Sequence, residues 1–198
     1  MTIIGITGPT GAGKTTALNE LEKLGGAIID CDAVYHELLK SDTALQYELE
    51  KAFGPMKDEN GAFDRKKLGG VVFRDPAALE QLNAIVYPRI GRAVDARLEQ
   101  ARQEGKKAAA VDGITLIESG LGARCDATVA VLAPVDERIR RICLREGISE
   151  EYARARVGAQ KRDDYFQANC DHILMNDCDY PEDFAHRARA LFQQILKP

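Results

Sequence analysis

One short stretch constrains this chain more than any other. Thr2–Thr7, a run of strand-forming residues, leads directly into Gly8-Pro-Thr-Gly-Ala-Gly13-Lys14-Thr15 and then into a helical pattern over residues 14–24. The loop has the spacing G-x-x-x-x-G-K-[ST], and a strand before it with a helix after it is the context in which that spacing wraps a phosphate. Successive backbone N–H groups must point inward around the anion, which demands glycine where a side chain would obstruct the turn or the approach. The helix opening at Lys14 adds about half a positive charge at its amino end. Lys14 is placed to reach β and γ phosphates, and the Thr15 hydroxyl to ligate Mg²⁺. With the backbone of Gly11, Ala12 and Gly13 and the following Thr16, these residues form the expected nucleotide cradle.

The rest of the chain alternates strand and helix. Residues 27–30 read as a second strand, ended from the first helix by Gly25-Gly26. Ala108–Asp112 and residues 127–133 are nearly continuous apolar runs of the kind parallel sheets bury on both faces, and His172–Met175 is a weaker fifth. Pro181 opens a last helix carrying Phe184, Ala188, Leu191, Phe192 and Ile195 at helical spacing. This pattern predicts a three-layer α/β/α domain over residues 1–198, built on a mainly parallel, doubly wound sheet whose ligands gather at the carboxyl ends of the strands.

Two intervals exceed a simple crossover. Between the second and third strands lie helical signals at Thr43–Phe53, after Asp75-Pro76, and again after Pro88; they read as an inserted helical subdomain over residues 33–105. Residues 135–170 are helical and rich in arginine, as a lid would be.

Composition excludes several classes. Twenty-seven basic against thirty-one acidic residues give a net charge of −4, which speaks against a protein holding nucleic acid by bulk electrostatics. No apolar run is long enough for a membrane span, and the phosphate loop follows the first residues too closely for a signal peptide. The five cysteines are odd in number and form no C-x-x-C pair, so they read as reduced thiols of a cytoplasmic protein. Cys170, His172 and Cys178 fit no standard zinc spacing.

A phosphate loop identifies a nucleotide and leaves the reaction open. The N-K-x-D sequence of a GTPase is absent. Asp30 and Asp32 end the second strand, where phosphoryl transfer to an alcohol needs a group to take the hydroxyl proton. Asp32 is the candidate base; its alternative is the N-cap of a helix starting at Ala33. Asp112, closing the third strand, is either a Mg²⁺-shell residue or a turn residue before Gly113. In Val135–Glu146, Arg138, Arg141 and Arg145 recur at spacings of three and four beside an apolar face of Val135, Ile139 and Ile142. Such a stripe is ordinarily just solvated. Its exclusive use of arginine, whose fork suits phosphate oxygens, marks Arg141 and Arg145 as lid contacts.

These pieces in their order resemble the dephospho-coenzyme A kinase family almost end to end. The resemblance rests on the Gly8–Thr15 loop, Ile29-Asp-Cys-Asp32 and Phe53-Gly54, then Asn60-Gly61-Ala-Phe-Asp64-Arg65-Lys-Lys-Leu68. It continues through Val72-Phe73-Arg-Asp-Pro76, Leu82-Asn83 and the segment 141–160. It implies a P-loop NTPase fold and ATP- and Mg²⁺-dependent phosphorylation of the ribose 3′-hydroxyl of dephospho-coenzyme A. It also implies an insert that shapes the acceptor pocket, and Lys14, Asp32 and Arg145 as catalytic residues. The sequence departs from the family at Tyr87-Pro88, usually His-Pro, and at Asp112-Gly-Ile-Thr-Leu-Ile-Glu118, usually Asp-x-Pro-Leu-Leu-Phe-Glu. It departs again at Phe166, which aligns with a basic residue usual about six positions after Gln160, although Lys161 and Arg162 are near enough to substitute, and at Cys170-Asp171, usually Ala-Asp; Asn176 is kept. The alternatives are another small-molecule or nucleoside monophosphate kinase on the same core, and a non-catalytic ATP-binding protein.

Overall fold

A computed structural model describes residues 1–197 and divides them into two units, Asp30–Glu99 and the remainder. In the larger unit, β1 (Thr2–Thr7) runs into the glycine loop and α1 (Lys14–Lys23), and β2 (Gly26–Asp30) follows. The chain re-enters this unit through the end of a long helix and continues with β3 (Ala108–Asp112) and β4 (Ala127–Leu132). The sheet order is β2-β3-β1-β4, with one more strand, β5 (His172–Met175), at the β4 edge. Parallel pairing joins β1 to β3, β1 to β4 and β4 to β5.

Burial on both faces explains the apolar runs. Ile4, Ile6, Ala110, Val129 and Val131 pack in one cluster with Leu21 of α1 and with Phe184 and Phe192 of the carboxyl-terminal helix, Pro181–Ile195. The other face receives Phe166, from a short helix over Asp163–Asn169, against Ala130 and Leu132. Helices Val135–Glu146 and Glu150–Gly158 pack on each other through Ile139, Ile142, Ala153 and Val157. The register sets Ile6 opposite Asp112, Thr7 opposite Ala130 and Leu132 opposite Met175. Parallel strands in that register bring their carboxyl ends to one edge, where the glycine loop, Asp112, the start of Val135–Glu146 and Asn176 all emerge.

The smaller unit is helical: α2 (Cys31–Ser41), α3 (Thr43–Phe53), α4 (Arg65–Val72) and α5 (Pro76–Gln103), which runs on into the larger unit. An antiparallel bridge from Lys57 to Phe63 closes a turn organised by the Asp58 carboxylate, which accepts from the amides of Asn60 and Ala62, both at 2.9 Å. Asp75 caps the start of α5, accepting from Ala77 N at 2.9 Å.

Two sequence expectations need correction here. The break anticipated at Pro88 does not occur: α5 is one helix with Pro88 inside it. Pro88 and Ala84, the residue whose carbonyl loses its partner to the proline ring, are both exposed, so the interruption falls on the solvent-facing side of the helix. The buried stripe Leu82, Val86, Ile90, Val94 and Leu98 continues past it unbroken. The helix expected to start at Ala33 begins at Cys31, and its cap is Asp30, whose Oδ1 accepts from Asp32 N at 2.8 Å and Ala33 N at 3.0 Å.

With the remaining helices in chain order, Val135–Glu146 is α6, Glu150–Gly158 α7, Asp163–Asn169 α8 and Pro181–Ile195 α9.

Candidate active site

The glycine loop is shaped by what holds its carbonyls. Each carbonyl from residue 8 to residue 13 accepts a hydrogen bond. Gly8 O takes the Lys14 Nζ at 2.9 Å, Pro9 O the Ala12 amide at 3.3 Å, and Gly13 O the Thr16 amide at 3.0 Å. The three between them are held by side chains from distant segments: Thr10 O by Arg138 Nε at 3.1 Å, Gly11 O by Arg141 Nη1 at 3.3 Å, and Ala12 O by Asn176 Nδ2 at 2.8 Å. The amides of Gly11 and Gly13 bond to no acceptor among the described residues. The loop therefore spends its acceptors on the protein and keeps donors for a ligand.

The amino end of α1 continues this pattern. Gly13 is its N-cap, with φ 107 and no side-chain cap, and the first turn carries no acidic residue. The Thr16 and Ala17 amides turn back to Gly13 O, and the positive end of the helix dipole lies at the same point. A Cβ on Gly13 would lie 2.4 Å from Asn176 Nδ2, so only glycine lets Asn176 reach past it to Ala12 O. Thr15 is exposed and Thr16 half-buried; Ala12 is fully buried. Gly13, Thr16, Arg140, Arg141, Asn176 and Asp177 line an adjoining cavity of about 410 Å³, wide enough for the remainder of a nucleotide.

The predicted site residues fall into two groups. Gly11, Ala12, Gly13, Lys14, Thr15, Thr16 and Arg141 come together around the loop. Arg141 also lies 3.4 Å from Asn176 Oδ1 and 3.9 Å from Glu137 Oε2. Arg145, one turn further along α6, is exposed and pairs at 2.6 Å with Glu146, which Arg156 also contacts. These two guanidiniums hold the Glu146 carboxyl below the usual range. Asp32, in the smaller unit, is exposed in the first turn of α2; because Asp30 makes the cap, the Asp32 carboxylate is bound by no described residue. Asp112 is half-buried at the end of β3.

Three residues of the site were not singled out by sequence reasoning for what they do here. Asn176, 6% exposed, follows β5 directly and donates its amide to Leu132 O at 2.7 Å. Arg138, 3% exposed, holds Thr10 O and also bonds Gln160 Oε1 at 2.6 Å. Gln160 in turn donates Nε2 to Thr10 Oγ1 at 2.8 Å, and its Oε1 accepts from the Thr10 amide at 3.3 Å. Burial pushes the Arg138 guanidinium below the usual arginine range, against the opposing charge of Asp163. The signal in the sequence was the position of Arg138 one turn before Arg141, on the side of the stripe nearest the loop.

Fold and loop together define the P-loop class of nucleotide-binding proteins. The dephospho-CoA kinase family model matches residues 2–182. A dephospho-CoA kinase of Dehalococcoides mccartyi is 34% identical over 198 residues, covering 100% of this chain and 99% of that protein. One from Corynebacterium glutamicum is 33% identical over 194 residues, covering 98% and 96%. A crystal structure of a Thermus thermophilus protein superposes with a TM-score of 0.83 at 30% identity, over 100% of this chain and 98% of that one. The dephospho-CoA kinase of Campylobacter jejuni gives 0.62 at 25% identity, over 98% and 97%. The chain belongs to the dephospho-CoA kinase family.

Proposed function

We infer that this protein transfers the γ-phosphoryl group of ATP to the ribose 3′-hydroxyl of dephospho-coenzyme A, giving coenzyme A and ADP, the last step of coenzyme A synthesis. The observation that carries the reading is the loop whose carbonyls are all held by the protein while the Gly11 and Gly13 amides stay free for phosphate oxygens, in a chain of this family. In the transfer, the acceptor oxygen bonds to the γ-phosphorus, the bond from that phosphorus to the β–γ bridging oxygen breaks, and ADP leaves. The hydroxyl proton passes to the Asp32 carboxylate, which is available because Asp30 caps α2 in its place. Lys14 turns from Gly8 O to the β and γ oxygens and neutralises the charge that shifts to the leaving group. Arg141 stays beside the loop as a nucleotide contact, and Arg145 exchanges its exposed Glu146 pair for the phosphate when residues 135–170 act as a lid.

Among the described residues no group of three His, Cys, Asp or Glu forms a metal cage. The exposed Thr15 hydroxyl fits a Mg²⁺ ion brought in by the nucleotide, since Mg²⁺ keeps several waters and takes most of its other ligands from phosphate oxygens. When bound, Mg²⁺ screens the β and γ oxygens; Thr15 would hold it, with Asp112 acting through its water shell. Residues 33–105 are proposed to bind the acceptor. Free cysteines among the described residues accord with a cytoplasmic setting, and none of the described helices is long and apolar enough to cross a membrane.

The test is ADP release from Mg-ATP with dephospho-coenzyme A, with a panel of nucleoside monophosphates, or with no acceptor. Release confined to dephospho-coenzyme A supports the reading. Release with a monophosphate, or none at all, overturns it.

A further inference from the structure

We propose that Arg138 and Gln160 are positioning residues for the triphosphate, a two-residue clamp that holds the phosphate loop with its amides turned inward. The inference rests on the loop being the nucleotide site and is independent of the acceptor.

Thr10 occupies a position that the loop spacing leaves unspecified, yet its amide, hydroxyl and carbonyl are all engaged. Gln160 Oε1 accepts from the Thr10 amide, Gln160 Nε2 donates to Thr10 Oγ1, and Arg138 Nε donates to Thr10 O. Arg138 Nη2 closes the circuit on Gln160 Oε1. One residue of the loop is thereby held at every polar atom, and its carbonyl shares a peptide plane with the Gly11 amide, one of the free donors. A glycine-rich loop without such ties can rotate its peptides and turn a carbonyl toward the phosphate, which repels it.

The charge of Arg138 supplies a second, independent pointer to an anion. Arg140, Arg141, Arg145, Arg154 and Arg156 each have a carboxylate within 4.0 Å. Arg138 is the buried one, at 3% exposure, and none of the described residues gives it a carboxylate at that range. A buried cation is costly unless an anion compensates it, and its two donors here go to neutral oxygens. Asp163 offsets part of that cost from beyond 4.0 Å, and a bound triphosphate next to Thr10–Gly13 supplies further negative charge.

Gln160 lies between α7 and α8, so the clamp also ties residues 150–169 to the loop. Lysine cannot replace Arg138, because one ammonium cannot place two fork donors on Thr10 O and Gln160 Oε1 together.

The experiment titrates Mg-ATP without acceptor into folded wild-type, Arg138→Met, Arg138→Lys, Gln160→Leu and Thr10→Ala proteins, with steady-state kinetics on the same samples. Arg138→Met and Gln160→Leu are expected to weaken Mg-ATP binding by about 10- to 100-fold while the KM for dephospho-coenzyme A stays within about twofold. Arg138→Lys recovers only part of the loss. Thr10→Ala combined with Gln160→Leu should bind about as weakly as Gln160→Leu alone, since the one bond that Thr10→Ala removes is among those that Gln160→Leu already removes. Should Arg138→Met fail to fold, half-buried Gln160 and Thr10 carry the test alone. Mg-ATP affinity within about twofold of wild type in Gln160→Leu overturns the clamp. A wild-type protein that binds Mg-ATP normally but leaves dephospho-coenzyme A untouched overturns the acceptor reading, with the clamp still judged by the variants' affinities.

Discussion

Gly8→Ala separates the two reasons a glycine stands at the start of the loop. Gly8 has φ +135, a region that L side chains rarely adopt, and a Cβ there would sit 2.1 Å from the carbonyl oxygen of Val131 in β4. Carbon and oxygen need roughly 1 Å more than that, so either the loop or the central strand must move. Gly25, after α1, supplies the control: its φ is +86, but nothing lies within 4 Å of a Cβ built on it. The backbone cost alone is about 1–2 kcal/mol for Gly25→Ala. Gly8→Ala carries a backbone cost of about 1–3 kcal/mol and an overpacking cost of about 1–3 kcal/mol, together about 2–6 kcal/mol. At roughly 2–4 °C per kcal/mol for a chain of this size, calorimetry should show Tm falling by about 2–8 °C in Gly25→Ala and by about 4–24 °C in Gly8→Ala. Mg-ATP affinity should drop only in the second. Equal Tm losses in the two variants, with nucleotide affinity intact in both, would refute the close packing of the loop on β4.

Further outcomes follow from the same contacts. Asp32→Asn should lower kcat by about 10²- to 10⁴-fold with Mg-ATP affinity little changed; near-normal turnover removes Asp32 as the base. Lys14→Ala should reduce both kcat and Mg-ATP affinity, turnover by about 10²- to 10³-fold, and an unaltered KM for ATP contradicts its role. The Asp171 carboxylate accepts from the Thr128 hydroxyl at 2.7 Å and amide at 2.8 Å, which hold it below the usual aspartate range. A lowered folded value means that its stabilisation is present above the unfolded value near pH 4 and is lost as pH falls through the folded one. Asp171→Asn should therefore flatten the acid limb of a Tm-against-pH curve, and an unchanged limb denies the assignment.

The sheet was legible because parallel strands buried on both faces must be apolar throughout. Thr2–Thr7 and Ala108–Asp112 have the bounds their apolar runs announced, and so does the weaker run His172–Met175, an edge strand in which Leu174 is buried and Ile173 exposed. Helix boundaries were less so. Pro88 reads as a break because proline loses a hydrogen bond, but whether that loss matters depends on solvent reaching Ala84, a tertiary property. The choice between Asp30 and Asp32 as cap turns on a two-residue shift of the helix start. The loop itself was plain from its spacing, whereas the groups that hold its carbonyls were not. Arg138 meets Thr10 across 128 residues and Asn176 meets Ala12 across 164, and no local periodicity encodes such pairs. Asn176 was visible only as a residue kept from the family pattern, and Arg138 only as one member of a stripe whose other members, such as Arg140, pair with carboxylates at the surface.

The central claim is that the free loop amides receive the triphosphate, and amide NMR reads it directly. On titration with Mg-ATP, the Gly11 and Gly13 amide resonances should shift the most and saturate together, while that of Gly25 stays in place. Saturation of the protein by Mg-ATP with the Gly11 and Gly13 resonances unmoved would contradict the account.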